Sequence, residues 1–163
     1  MLGTGALRRI HRRGLSYGAR DGAGDGEVIC NFGQVDSWLF RGGHYRLRDL
    51  AEAVGRYGIQ RVIDLRDRAP LFKPASYQRI GVEFVRCPLS EHEPLPANIL
   101  DVLDPNYITF VHCWKGSHRT GAFIGLYRRQ CQGWSPDRIW DEMQAYGFGR
   151  PEDHMALYRS IFE

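Results

Sequence analysis

The chain has 163 residues, of which 43% are hydrophobic and 25% charged. This length and composition are typical of a single globular domain with a buried core, and no apolar run approaches the length of a membrane span. The net charge is +3, and most of it comes from residues 1–27, which hold five arginines against three acidic residues. Because the remainder is nearly neutral, a nucleic-acid binder that works through a broad basic face is disfavoured.

Residues 1–27 are predicted to form a flexible Arg- and Gly-rich tail, and residues 28–163 the folded domain. The first 20 residues contain no acid, so they also fit an amphipathic transit peptide, although a tail without a targeting role is favoured. The four cysteines form no C-x-x-C pair and no metal-ligand spacing, and no secretory signal is recognisable. We therefore expect a cytoplasmic protein with free thiols.

The first half of the predicted domain alternates extended and helical patterns. In chain order these are extended segments with turns in EVICNFGQVDSWLFRGG, a helix in YRLRDLAEAVGRYG that ends at Gly58, a strand in QRVIDLRD, a weak helix in LFKPASYQRIG that ends at Gly81, a strand in VEFVRC, a loop in PLSEHEPLP and a short helix in ANILDVLD.

The second half continues the alternation. It comprises a buried strand in YITFVH, a helix in TGAFIGLYRRQCQ that ends at Gly133, a helix that starts at Ser135-Pro136 and runs to about Tyr146, and a last helix in PEDHMALYRSIFE. The continuous apolar run of YITFVH is typical of a parallel strand covered on both faces. The predicted fold class is therefore α/β, with a small central, mostly parallel sheet flanked by helices.

The segment HCWKGSHRTG, residues 112–121, lies between that buried strand and the following helix. Cys113 and Arg119 are separated by five residues, and a loop of this size at a helix N-terminus can direct its N–H groups at one tetrahedral anion. Gly116 permits backbone torsions that a side chain would resist. Arg119 can donate two parallel hydrogen bonds to the anion, which lysine cannot reproduce.

The same donors stabilise a thiolate, so Cys113 is predicted to be a nucleophile at neutral pH. The position is consistent with this role, because ligands of open α/β sheets bind beyond the carboxyl ends of the strands.

HCWKGSHRTG resembles the HCxxGxxR[ST] signature loop of the cysteine-dependent protein tyrosine and dual-specificity phosphatases. Three further blocks, NFGQVDSWLFRGG, GIQRVIDLR and WSPDRIWDEMQAYG, resemble the small atypical dual-specificity branch of plants, fungi and bacteria, which includes inositol-pyrophosphate phosphatases. The likeness covers residues 31 to about 162. It implies a tyrosine-phosphatase-like fold and a phosphomonoester hydrolase, with a protein tyrosine or dual-specificity phosphatase as the first expectation.

The resemblance also implies roles for the residues of the loop. Cys113 forms a phosphocysteine intermediate, Arg119 binds phosphate and the transition state, Thr120 hydrogen-bonds the departing thiolate, and His112 fixes the loop. The implied phosphate cradle consists of Trp114, Lys115, Gly116, Ser117, His118 and Arg119. Nothing in this chemistry requires a metal or a cofactor.

The family places an Asp general acid in the loop that here reads PLSEHEPLP and contains no Asp. Its titratable residues are Glu91, His92 and Glu93, of which we expect Glu91 or Glu93 to protonate the leaving oxygen. Asp64, at the end of VIDLRD, is predicted to lie beside the cradle, either supporting the site or forming an ion pair with Arg66.

Three neighbours of the loop are given structural interpretations. Trp114 is expected to pack under the loop more readily than to stack on an aromatic phosphoester. Arg41 is assigned to the pocket rim or simply to a turn, and His44 receives no role.

The substrate is left open between a phosphorylated protein and a small phosphorylated metabolite such as a phosphoinositol. The signature loop carries only Lys115, His118 and Arg119 as basic residues, which predicts a weaker attraction for multiply charged substrates than in polybasic relatives. Stable membrane insertion and nucleic-acid binding are not expected. The alternatives are a pseudophosphatase that binds phosphoryl groups without turnover, a sulfurtransferase or arsenate reductase, and a phosphatase of RNA 5′ ends.

Overall fold

The computed structural model describes residues 29–163. The predicted tail, the transit-peptide alternative and the first residue of the predicted domain lie outside the described residues. Within residues 29–163 the chain forms five short strands and five α-helices. The strands are β1 (Gly33–Gln34), β2 (Leu39–Gly42), β3 (Arg61–Asp64), β4 (Glu83–Arg86) and β5 (Thr109–His112). The helices are α1 (Leu47–Tyr57), α2 (Pro74–Arg79), α3 (Arg119–Gln132), α4 (Pro136–Ala145) and α5 (Met155–Phe162).

The strands form one sheet in the order β1-β2-β5-β3-β4. β1 is an antiparallel edge strand, and the other four are parallel. His112 at the end of β5 is paired with both Gly42 of β2 and Asp64 of β3. The segments that follow these three strands therefore leave the sheet at the same edge. The predicted class, a small and mostly parallel sheet flanked by helices, is confirmed.

Alternation along the strands divides the core into two layers. Leu39, Ile63 and Val111 lie in a cluster with residues of α3, whereas their sequence neighbours face a second cluster with residues of α1 and α2. These neighbours are Phe40, Val62 and Phe110. A third cluster joins α3 to α4 and α5. Every residue of β5 is buried, as its continuous apolar run predicts.

Most helix ends occur where the sequence predicts them. Gly58 and Gly133 end α1 and α3 in the left-handed conformation that glycine adopts without strain, and the Ser135 hydroxyl caps α4. The segment predicted as a short helix in ANILDVLD is only a 3-10 turn, Ile99–Val102, because a segment bounded by prolines on both sides is too short to sustain a helix. None of the helices in the described part is long and apolar enough to cross a membrane.

Candidate active site

The loop 113–118 connects β5 to α3 at the carboxyl edge of the sheet. The backbone conformation of this loop is held by residues 31–44, which donate hydrogen bonds to three consecutive carbonyl oxygens on the outer side of the loop. The pairs are His44 N to Trp114 O at 2.7 Å, Asn31 Nδ2 to Lys115 O at 3.3 Å and Arg41 Nη2 to Gly116 O at 3.0 Å. In a trans peptide the carbonyl and the following N–H point in opposite directions. The N–H groups of residues 115–117 are therefore turned towards the interior of the loop.

Cys113 lies at the centre of this arrangement and is almost fully buried. Its Sγ accepts a hydrogen bond from Gly116 N at 3.3 Å. Gly116 has φ +74°, and a Cβ there would lie 2.6 Å from the carbonyl carbon of Gly42. A Cβ on Gly43 would likewise lie 2.6 Å from Trp114 O. The loop therefore needs glycine on both sides of this close backbone approach.

His112 is fully buried beneath the loop, and burial lowers its pKa to about 4, so that its ring is neutral at pH 7. Its Nδ1 lies 3.1 Å from Cys113 O and its Nε2 3.3 Å from the Tyr45 hydroxyl. Since the carbonyl can only accept, Nδ1 carries the proton, and Nε2 accepts from Tyr45. These contacts agree with the predicted loop-fixing role of His112.

The Thr120 hydroxyl donates to Gly42 O at 3.3 Å. It must rotate away from that carbonyl to hydrogen-bond the thiolate, and this role stays a prediction.

Arg119 is held by acceptors on two other loops, and its side chain is only 9% exposed. Nη1 donates to Asp67 Oδ1 at 2.8 Å and to Leu89 O at 3.4 Å, and Nη2 lies 3.3 Å from Glu91 Oε1. Arg119 Nε is buried without a hydrogen-bond partner among residues 29–163, which leaves this donor available to an anion in the loop.

Asp67 was not recognised from the sequence. Its partial burial acts to raise its pKa, but the hydrogen bond and the charge of Arg119 outweigh this effect and lower the pKa. Asp67 is therefore ionised at neutral pH and is unsuited to donating a proton.

The cavity above Cys113 has a volume of about 390 Å³. It is lined by Arg66, Asp67, Arg68, Glu91, Cys113, Trp114, Lys115, His118 and Arg119. Four of these side chains are cationic, and two of the four belong to the loop after β3. The signature loop alone therefore supplies only half of the cations of the pocket, and the carboxylates of Asp67 and Glu91 in the same wall offset the charge of the other two. Of the two predicted proton donors, Glu91 lines the cavity, whereas Glu93 is exposed and is not part of its wall, and the same is true of His92.

Asp64 is fully buried and does not line the cavity. Its Oδ1 accepts from Arg66 Nε at 2.9 Å and its Oδ2 from Arg66 Nη2 at 2.8 Å. The ion pair considered from the sequence is thus present. It fixes the Arg66 guanidinium in the cavity wall, so any support that Asp64 gives to the site passes through Arg66.

Trp114 does not pack under the loop, and that expectation is wrong. The side chain is 50% exposed, and its ring stacks on the imidazole of His44 with centroids 4.6 Å apart. The backbone of Gly42 and Gly43 lies in contact with the backbone of residues 114–116 on the carbonyl side of the loop and leaves no room there for an indole.

The remaining loop side chains have separate surroundings. Lys115 is exposed at the cavity wall, and the buried Ser117 Oγ accepts from Asn31 Nδ2 at 3.1 Å. The His118 ring stacks on His154. The pKa of His118 is lowered, mainly by burial and to a smaller extent by the neighbouring His154.

Arg41 belongs to β2 and lies beneath the cradle, so both interpretations offered by the sequence, the pocket rim and a turn, are wrong. It is 1% exposed, and its guanidinium stacks over the Tyr146 ring at 3.7 Å. Its Nε and Nη1 have no hydrogen-bond partner among the residues described. Burial lowers the pKa of Arg41, but a guanidinium stays protonated in proteins at neutral pH. Arg41 therefore supplies a buried positive charge behind the loop and holds the carbonyl of Gly116.

Replacing Arg41 by methionine is expected to slow alkylation of Cys113 by iodoacetamide by about tenfold or more, since the loop loses a charge-assisted hydrogen bond and the thiolate loses a nearby cation. The rate is measured by mass spectrometry of the Cys113 peptide. Arg138→Met is the matched control, because Arg138 also stacks on an aromatic ring, that of Trp134. Equal rates for the wild type and Arg41→Met would contradict this role.

No protein-family model matches the chain. Among curated proteins, the dual specificity protein phosphatase TpbA of Pseudomonas aeruginosa is 44% identical over 43 residues, which are 26% of this chain and 20% of TpbA. The chain thus spans about a fifth of the length of that relative. The inositol diphosphatase DSP4 of Arabidopsis thaliana is 26% identical over 94% of this chain and 84% of its own length.

Among solved structures, the core catalytic domain of the PP-IP phosphatase SIW14 from Saccharomyces cerevisiae superposes with a TM-score of 0.70. The identity is 23%, and the match covers 81% of this chain and 86% of that one. TpbA superposes with a TM-score of 0.68 at 22% identity, covering 82% and 84%. Likenesses at this identity show the fold, which is tyrosine-phosphatase-like. The homologues belong to the atypical dual-specificity branch, which confirms the resemblance seen in the sequence.

Proposed function

We propose that this chain, a homologue of the atypical dual-specificity phosphatases, hydrolyses phosphomonoesters through a phosphocysteine intermediate without a metal. One observation carries the proposal. The buried thiol of Cys113 accepts a hydrogen bond from an N–H of the loop, whose amides are turned inward. Arg119 is the first residue of the helix that follows this loop. Such a site binds the three equatorial oxygens of a transferring phosphoryl group and stabilises the attacking sulfur at the same time.

In the first step the Cys113 thiolate attacks phosphorus, so that the S–P bond forms as the P–O bond to the leaving group breaks. The loop amides and Arg119 Nε donate hydrogen bonds to the phosphoryl oxygens and so stabilise their negative charge. Glu91, in the cavity wall 3.3 Å from Arg119, gives its proton to the leaving oxygen. In the second step Glu91 takes a proton from water, the water oxygen attacks phosphorus, and the thiolate leaves with inorganic phosphate as the product.

Two classes of substrate suit the cavity. The first is a phosphorylated protein side chain, for which the half-exposed Trp114 offers an aromatic surface at the cavity wall. The second is a small, multiply phosphorylated molecule, which is favoured by the cationic side chains of Arg66, Arg68 and Lys115 around the same opening. DSP4 and SIW14 are inositol diphosphatases, and TpbA is a dual specificity protein phosphatase.

Trapping of the intermediate tests the proposal. The protein is mixed with a 32P-labelled aryl phosphate in excess EDTA, quenched with acid and digested, and the label is located by mass spectrometry. We expect the label on Cys113, turnover that is unaffected by EDTA, and competitive inhibition by vanadate. Phosphate binding without turnover would favour the pseudophosphatase alternative, and turnover lost on chelation would exclude a metal-independent reaction.

The substrate class is tested with the pair Arg68→Gln and Lys115→Gln. If the natural substrate is multiply phosphorylated, both variants lower kcat/KM for an inositol polyphosphate or pyrophosphate more than for a phosphotyrosine peptide. Equal losses for the two substrates would favour the protein substrate.

Glu91→Gln is expected to lower kcat for phenyl phosphate by about 100-fold, because a poor leaving group depends on protonation. The loss for p-nitrophenyl phosphate, whose leaving group is stable as an anion, is expected to be much smaller. Steady-state kinetics with both esters measure the difference. Glu93→Gln, an exposed acid of the same loop, is the control. Equal effects of the two substitutions would remove Glu91 from the mechanism.

A further inference from the structure

A cluster of three metal-ligating side chains lies at one side of the candidate active site. His118 is the last residue before α3, His154 immediately precedes α5, and Glu91 belongs to the loop after β4. Their ligand atoms all lie within 4.8 Å of one another. Three distant parts of the chain therefore bring two imidazoles and a carboxylate to one point.

The carboxylate of Glu91 faces both imidazoles through different oxygens. His118 Nδ1 lies 3.8 Å from Oε1, and His154 Nδ1 lies 3.8 Å from Oε2. Both distances exceed that of a hydrogen bond. The two rings stack with centroids 3.7 Å apart and planes inclined by 28°, which brings their Nδ1 atoms to the same carboxylate.

His154 provides an independent indication that this cluster is a ligand-binding site. Its side chain is 14% exposed, and its Nδ1 is buried without a hydrogen-bond partner in the described part of the chain. A buried polar atom without a partner costs folding free energy. A ligand that accepts the lone pair of Nδ1 removes this cost.

We propose that Glu91, His118 and His154 form a binding site for a borderline divalent cation, with Zn²⁺ as the ion that the ligand set fits best. Two imidazoles and one carboxylate are a ligand set that zinc accepts, whereas Mg²⁺ and Ca²⁺ prefer oxygen ligands. Zinc–ligand bonds of about 2.0–2.2 Å place tetrahedral ligand atoms about 3.4 Å apart. The two separations between imidazole and carboxylate are 3.8 Å, and all three ligand atoms lie within 4.8 Å of one another, so rotations of the side chains must bring them closer on binding.

The neighbouring charges work against a cation, because Lys115 and Arg119 both face His118. Glu91 partly offsets them. We therefore expect binding that is reversible by chelators, in contrast to the closed four-ligand sites that hold structural zinc.

Glu91 connects this site to the proposed reaction, since its Oε1 also lies 3.3 Å from Arg119 Nη2. A zinc-bound Glu91 cannot deliver a proton to the leaving group. This consequence, inhibition by zinc, rests on the proposed function, whereas the binding site itself rests on the three ligands alone.

Binding is measured on the Cys113→Ser variant of the full chain, which removes the thiolate as a competing zinc ligand. Isothermal titration with ZnCl₂ is expected to give one equivalent, and both His154→Ala and the bulkier His154→Gln to weaken it at least tenfold. His92→Ala is the matched control, because His92 neighbours Glu91 in sequence but is exposed. Circular dichroism verifies that each variant is folded. Zinc binding of equal strength in the His154 variants would overturn the proposal.

X-ray absorption of the zinc-loaded wild type identifies the ligands directly. We expect nitrogen and oxygen scatterers near 2.0 Å with the imidazole signature, whereas a sulfur scatterer near 2.3 Å would place the ion on Cys113 and overturn the assignment. Inhibition is then compared between the wild type and His154→Ala, each relative to its own rate in EDTA. A tenfold higher inhibitory concentration in the variant supports the coupling to Glu91, and an unchanged one contradicts it. If no turnover is found at all, the titration and the spectrum still decide whether the site exists.

Discussion

Cys113→Ser is expected to lower kcat/KM for p-nitrophenyl phosphate by about 10⁴-fold or more while inorganic phosphate still binds. A serine hydroxyl needs a general base, and the imidazole of the preceding residue, His112, cannot serve as one. His112 Nδ1 donates to Cys113 O, and Nε2 accepts from Tyr45, so neither ring nitrogen is free. The amides and Arg119 that bind phosphate are unchanged by the substitution.

Steady-state kinetics and titration with inorganic phosphate measure the two halves of this prediction. Cys87→Ser is the matched control, because Cys87 is another free thiol, partly buried, that does not line the cavity. It is expected to keep activity close to that of the wild type. Turnover by Cys113→Ser within 100-fold of the wild type would mean that the thiol is not the nucleophile.

The strand, loop and helix around Cys113 could be predicted from the sequence because their signals are local. The apolar run of β5, the polar segment 112–121 and the C-terminal Gly133 of α3 each act over a few residues. The structure has all three within a residue or two of the predicted positions. The parallel arrangement likewise followed from the alternation of strands and helices.

The hydrogen bonds that hold the outer, carbonyl side of the loop could not be predicted in the same way. Asn31 and Arg41 hold the carbonyls of Lys115 and Gly116 across 84 and 75 residues of sequence. Nothing in the segments NFGQ or FRGG by itself indicates which carbonyl each side chain reaches. The close approach of Gly43 to Trp114 also explains why the indole lies outside the loop, and this too depends on the neighbouring strand.

The charged residues that line the pocket were incompletely predicted for a related reason. Arg66 and Arg68 follow β3, and only the pairing of β3 with β5 brings their loop beside Cys113. The sequence indicated that Asp64 would emerge near the cradle but did not indicate that Asp67, three residues later, would bind Arg119. Counting the basic residues of the signature loop therefore omits two of the four cations in the cavity wall, and also the carboxylates of Asp67 and Glu91 that offset them.

Arg119→Lys is expected to lower kcat/KM for p-nitrophenyl phosphate by about 10³-fold, although the charge is conserved. A guanidinium presents two parallel donors to the phosphoryl oxygens, and a lysine ammonium cannot match that geometry. Loss of a single preorganised donor to a developing charge already costs about 10²–10³-fold in other enzymes. The orientation of Arg119 also depends on Asp67 and Leu89, which accept from its Nη1, and a shorter side chain loses these contacts.

Arg68→Lys is the control for the same exchange at an exposed position of the cavity wall, where we expect less than a threefold change. Kinetics on both variants, with melting temperatures to verify folding, separate the geometric requirement from the charge. If Arg119→Lys retained a tenth of wild-type kcat/KM, positive charge alone would suffice at this position. The two parallel donors of the Arg119 guanidinium would then be unnecessary, and the transition state would be stabilised mainly by the loop amides.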